Sequence, residues 1–159
     1  MKRLERLLVP MIMAGILVLS VCASPASASA SGFQEAEIPA GKAVVYIYRL
    51  PIIPFGPDTG MPFDVKANGK IITTLVQSGY YAYVTGPGEI EFTALECANA
   101  GPFAPTSTFS ITLNVIAGKA YYLKGTHGNG FTGGANLLSV SPEAGAKEMA
   151  NCKLITATH

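Results

Sequence analysis

The chain has 159 residues, 13% of them charged and 49% hydrophobic. That length suits a single domain, and the composition excludes a disordered chain, which needs low hydrophobicity and high net charge. The formal charge of +1 comes from the N-terminus: without Lys2, Arg3, Arg6 and Glu5, eight basic residues stand against nine acidic ones. So neutral a remainder has no counterion-release drive toward nucleic acid, and nucleic-acid binding is not expected.

Residues 1–30 have the three-part layout of a secretory signal. Lys2, Arg3 and Arg6 form a basic start, Leu7 to Val21 an apolar run, and Cys22 to Ala30 a small-residue tail. A bilayer-spanning helix needs about 20 apolar residues, so this run is short, and Pro10 weakens it further. Two processing routes are open. Ala26, Ala28 and Ala30 each suit an ordinary signal peptidase, whereas Leu19-Ser-Val-Cys22 resembles a lipobox in which Cys22 is acylated. Val21 departs from the small residue usual before that cysteine. Acylation would anchor the chain, since each buried methylene contributes about 0.8 kcal/mol. Both routes lead to the same compartment, the periplasm or an outer-membrane anchorage facing it.

Removal or acylation of Cys22 leaves Cys97 and Cys152 as an even pair in an oxidising compartment. A Cys97–Cys152 disulfide is the expectation, with two free thiols as the alternative. The bridge would close a loop of about 55 residues and stabilise by roughly 4 kcal/mol on the chain-entropy model. Two isolated cysteines without clustered histidines fall short of a four-ligand metal site, so no metal or other cofactor is expected.

Residues 31–42 read as a linker. Ala43 to Arg49 is β-branched and aromatic throughout, the pattern of a strand buried on both faces. The proline-rich stretch from Leu50 to Met61 reads as a long loop. Phe63, Val65 and Ala67 alternate with Asp64 and Lys66, and Asn68-Gly69 is a strong hairpin signal, with Lys70 to Leu75 as its return strand. Tyr80 to Thr85 and Glu89 to Ala94 follow, turning at Pro87-Gly88, with Ile90, Phe92 and Ala94 facing inward. Phe109 to Val115 alternates cleanly, and Lys119 to Lys124 returns from Ala117-Gly118. Gly125 to Gly134 reads as a glycine-rich surface loop. Leu137 to Val140 reads as a strand, Pro142 to Met149 as a short helical turn, and Lys153 to Thr156 as the last strand. About eight mostly antiparallel strands with frequent turns define an all-β domain over residues 43–159, a β-sandwich or small barrel.

Chemistry-bearing motifs are sparse. The glycine-rich loop has neither a following helix nor the Lys-Ser or Lys-Thr of a phosphate cradle. His127 is remote in sequence from any acid, cysteine or second histidine; Asp58 and Asp64 are the acids the fold could bring to it. Glu89 and Glu91 share one strand face, whereas glycosidase carboxylates face each other across a cleft. There is no Gly-x-Ser-x-Gly, His-Glu-x-x-His or Ser-x-x-Lys, so no catalytic residue is assigned. Seven tyrosines sit in predicted strands and admit two readings, strand packing or an aromatic platform for sugar or peptide.

The order of these segments resembles the bacterial family called domain of unknown function 2846, many of whose members look like lipoproteins. The resemblance rests on Val45-Tyr-Ile-Tyr-Arg49, Asn68-Gly69 with its return strand, Gly79-Tyr-Tyr81, Pro87-Gly88, Ala117-Gly-Lys-Ala-Tyr-Tyr122 and Cys152-Lys-Leu. Two departures are Leu50, interposed before Pro51, and Val21. The resemblance implies a β-sandwich and residence in the cell envelope, and brings no catalytic residue with it. The expected function is an exported, non-enzymatic binding or structural module, lipid-anchored if Cys22 is acylated, whose partner is an envelope protein or a glycan. The alternative is an envelope enzyme or enzyme inhibitor using the loops 50–61 and 125–134.

Overall fold

A computed structural model describes residues 32–51, 60–96, 109–127 and 134–156. Nine strands and one helix occur among these residues: β1 (Ala43–Arg49), β2 (Phe63–Ala67), β3 (Lys70–Leu75), β4 (Gly79–Thr85), β5 (Gly88–Glu96), β6 (Phe109–Val115), β7 (Ala120–His127), β8 (Ala135–Val140), α1 (Pro142–Met149) and β9 (Lys153–Leu154). They form two packed sheets, one of five strands in the order β8-β7-β1-β4-β9 and one of four in the order β3-β2-β5-β6. The protein is an all-β sandwich, as the strand periodicity predicts.

β1 is the centre of the five-stranded sheet, antiparallel to β4 and parallel to β7. All seven of its residues are buried. A central strand covered on both faces needs a continuous apolar run rather than alternation, and Ala-Val-Val-Tyr-Ile-Tyr supplies one. Ala43, Val45 and Ile47 face the second sheet, clustering with its Phe63, Val65, Leu75, Phe92 and Ala94 and with Leu123 of the neighbouring β7. Each fully buried Phe, Leu, Ile or Val contributes about 1.5–3 kcal/mol, which makes this inner layer the main stabilising core.

Val44, Tyr46 and Tyr48 face the other way. A second cluster forms there with Tyr80, Tyr122, Met149 and Cys152, and with Phe33 and Ile38 packed against it. The cover is α1 together with residues 32–38, so the segment read as a linker also roofs the outer face of the sheet. Ser141 caps the helix, its hydroxyl accepting from the Ala144 amide at 3.3 Å, and Pro142 begins the first turn, where its missing N–H costs nothing.

Two turns explain themselves from sequence. Asn68 (φ 47°) and Gly69 (φ 80°) both take positive φ, as a two-residue hairpin of the I′ kind requires. Asn68 is also stitched to β5: its amide donates to the Glu91 carbonyl at 2.8 Å, and its side-chain oxygen accepts from the Glu91 amide at 3.0 Å.

The glycine-rich stretch differs from its reading as one loop. Gly125, Thr126 and His127 belong to β7, paired with Leu137, Asn136 and Ala135 of β8. The reason is packing, because a Cβ on Gly125 would lie 2.5 Å from the Phe63 ring and 2.7 Å from Leu75 Cδ2. This glycine admits core side chains close to the strand rather than making a turn. The helical turn is a full eight-residue helix, and the last strand is only two residues long.

Candidate functional site

β1 and β2 are joined through residues 50–62, and β7 and β8 through residues 128–134. Their inner ends meet at one end of the sandwich, where Arg49 of β1 pairs with Gly125 of β7. Arg49 is only 1% exposed. Its Nη1 donates to the Met61 carbonyl at 2.6 Å, and its guanidinium stands 5.2 Å from the Phe63 ring centroid, a cation–π contact. His127 reaches the same carbonyl, with Nε2 at 3.1 Å from Met61 O and its ring edge-on to Phe63 at 5.7 Å. A carbonyl only accepts, so this contact assigns the proton to Nε2. One carbonyl thus ties the first residue before the proline-rich loop, the last residue of that loop and the last residue of β7.

Of the acids considered for His127, Asp64 stands on the face of β2 opposite Phe63. It accepts from Thr74 Oγ1 at 2.6 Å, across the hairpin. The strand alternation that buries Phe63 against His127 turns Asp64 away from that contact. Asp58 lies outside the described residues. Glu89 and Glu91 are exposed on the outer face of β5, opposite Asn114 and Thr112 of β6, on a single sheet surface rather than across a cleft. No group of three or more His, Cys, Asp or Glu side chains that could hold a metal ion occurs among the described residues.

Of the two cysteines of the expected disulfide, only Cys152 lies among the described residues. Cys152 is a buried free thiol whose Sγ–H donates to the Arg49 carbonyl at 3.6 Å. It lies in the outer layer of the five-stranded sheet, whereas Glu96, the residue before Cys97, ends β5 in the other sheet. Cys97 and Cys22 lie outside the described residues. Burial raises the Cys152 pKa, and the negative charge of Glu148 adds to the effect, so the thiol stays protonated at neutral pH.

The tyrosines divide by face. Tyr46, Tyr80 and Tyr122 surround Phe33, with ring centroids 5.0, 5.3 and 6.3 Å from it, all near edge-to-face. Their hydroxyls fasten the cover: Tyr46 Oη accepts from the Ala36 amide at 2.6 Å, and Tyr122 Oη donates to Glu35 at 3.2 Å. Tyr48 Oη donates to Glu148 Oε2 of α1 at 2.7 Å, and Lys124 bridges the same carboxylate at 3.0 Å. Burial first, and then the neighbouring carboxylates Glu148 and Glu35, hold the Tyr48 and Tyr122 hydroxyls well above the usual phenol range. Tyr83 packs edge-on against Phe92 in the inner core, and Tyr121 Oη caps the turn after β6 by accepting from the Ile116 amide. Packing and fastening account for these six; Tyr81 is half-buried.

Sequence reasoning missed the Arg49 knot and the roof of residues 32–38. A signal existed for each, namely one arginine ending an apolar strand ahead of a proline-rich loop, and Phe33 and Ile38 within an otherwise polar stretch. Comparison with family models, with curated proteins and with solved structures returned no match. The likeness to domain of unknown function 2846 accordingly rests on the quoted motifs alone.

Proposed function

We propose that the chain is an exported cell-envelope β-sandwich with a non-enzymatic binding or structural role, presenting its loop-bearing end to an envelope protein or glycan. The observation that carries this reading is the shared Met61 carbonyl, which fixes the inner ends of both long loops on one rigid platform. Loops held by a rigid scaffold are the usual carriers of recognition. His127 Nε2 donates to that carbonyl, which holds the ring against the inner end of the loop. The leader pattern and the envelope family it resembles support export, and the near-neutral charge of the remainder argues against nucleic acid.

Fractionation of cells expressing the full chain tests export: recovery in the periplasmic or membrane fraction is expected, and a purely cytosolic chain overturns it. Mass spectrometry of the mature N-terminus then separates acylated Cys22 from an unmodified start at Ser27, Ser29 or Ser31. For binding, in-cell cross-linking should give adducts that disappear when residues 128–133 are replaced by a Gly-Ser loop. Adducts indifferent to that replacement would remove the loop end from the account.

A further inference from the structure

Sheet edges expose unpaired N–H and C=O groups, and folded proteins guard them with lysines, bulges, short strands or cover. Among the described residues the two sheets have four edges, and two are guarded in that way: β3 carries Lys70 and pairs with β2 through a register shift, and β9 has two residues. The other two, β6 and β8, lie together on one side of the sandwich, and neither contains a charged residue or a proline. β6 is also incompletely covered. Phe109, Ile111, Leu113 and Val115 share the face of Ala94, Phe92 and Ile90, yet only Val115 is buried and Phe109 is 46% exposed.

We infer that β6 is the pairing edge of a symmetric homodimer, in which two copies align β6 antiparallel about a two-fold axis through Thr112. The strand is self-complementary in that register. Thr112 meets Thr112, and Ser110 meets Asn114 of the second copy; Ile111 meets Leu113, and Phe109 meets Val115. Every pair is polar with polar or apolar with apolar, and no like charges oppose each other. The half-exposed inner residues of β6 gain cover from their counterparts. β8 fails the same test. Centred on Leu137 it sets Asn136 against Leu138, and centred on Leu138 it sets Leu137 against Ser139. A two-fold pairing of this kind uses one patch on both copies and closes the edge against further addition.

Cysteine cross-linking of the full chain in cells tests this directly. Directly opposed residues of an antiparallel pair have Cα atoms about 4.5–5.5 Å apart, within the span a disulfide requires. After mild oxidation, Thr112→Cys should give a band at twice the monomer mass, at least about tenfold stronger than that from Ser110→Cys, whose thiols lie off the axis. Co-expressing Ser110→Cys with Asn114→Cys should restore the dimer band, because that register opposes the two positions. Equal bands from Thr112→Cys and Ser110→Cys, no band above the unsubstituted chain, or a Thr112→Cys adduct at some other mass would each overturn the proposal, the last by placing a different protein on the edge.

Discussion

The inner face of β1 carries Ala43, Val45 and Ile47 into an aliphatic and phenylalanine core, whereas its outer face carries Val44, Tyr46 and Tyr48 beneath residues 32–38 and α1. Both faces are dry, but they are closed by different means. Sheet-on-sheet packing closes the first, through non-directional contact spread over seven strands. The second is closed by irregular chain and a short helix, which hydrophobic area alone holds weakly, and phenol hydroxyls supply directed fastenings to Ala36, Glu35 and Glu148. The contrast teaches that one strand can sit between a core that defines the fold and a cover that opens separately. Gly32 couples the two parts of that cover, since a Cβ there would come within 2.9 Å of the Ala150 carbonyl at the end of α1.

The largest difference between the layers should come from removing one ring on each side. Phe92 is fully buried in the inner core, and Phe92→Ala should cost about 3–5 kcal/mol. Phe33 is half-buried in the outer layer, so Phe33→Ala should cost about 1–2 kcal/mol, nearer the transfer term for a partly exposed ring. Chemical denaturation measures both; equal losses would erase the distinction.

The two close-approach glycines give the next contrast. Gly125→Ala drives a methyl into Phe63 and Leu75 within the sandwich, and overpacking of that kind costs about 1–3 kcal/mol. Gly145→Ala drives one into Tyr122 at 2.5 Å, but α1 lies at the surface and can lift. It should cost less, partly offset by the ~1 kcal/mol helix preference of alanine over glycine. Loss of helix signal with the sheet signal retained, in circular dichroism, is the expected signature.

An opposite sign is expected at Thr73, whose buried hydroxyl has no hydrogen-bond partner among the described residues. Thr73→Val removes that polar group at nearly constant shape and should raise stability by about 1 kcal/mol. A lower melting temperature would show that the hydroxyl is satisfied.

The smallest effects are those of pH on the Glu148 and Tyr48 fastening of the outer layer. Burial raises the Glu148 pKa, but donation from Tyr48 and Lys124 outweighs it and holds the carboxyl below its ordinary value of 4.5. A depressed acid stabilises above its unfolded pKa and loses that contribution as pH falls through the folded value. Glu148→Gln should therefore flatten stability below pH 4.5; the pair is partly exposed, so the cost at neutral pH is about 0.2–1 kcal/mol. The Tyr48 pKa lies above its ordinary 10.0, so the reverse holds: stability is complete below pH 10.0 and falls as pH climbs from there toward the folded value. Tyr48→Phe should blunt that alkaline loss, followed by tyrosinate absorbance and circular dichroism together.

Features encoded within a few residues were legible in the sequence. The unbroken apolar run of β1 forecast burial on both faces, Asn68-Gly69 forecast the hairpin, and the alternation of Ile90, Phe92 and Ala94 forecast their inward facing. The parallel pairing of β1 with β7 was not, because it joins segments more than 70 residues apart with no local turn to announce it. Gly125 misled because a glycine that admits Phe63 and a glycine that makes a turn look alike until the neighbouring sheet is placed. Residue type could not say that Arg49 and His127 would meet at the Met61 carbonyl, a backbone atom invisible to motif reading.

Amide hydrogen exchange on the full chain, with and without Phe33→Ala, tests the two-layer account most directly. The account predicts that the substitution speeds exchange at Ala36 and through α1 together, while the amides of β1, β2 and β5 keep their protection. Protection lost uniformly across both sheets would contradict it, and would make residues 32–38 part of the same cooperative unit as the sandwich core.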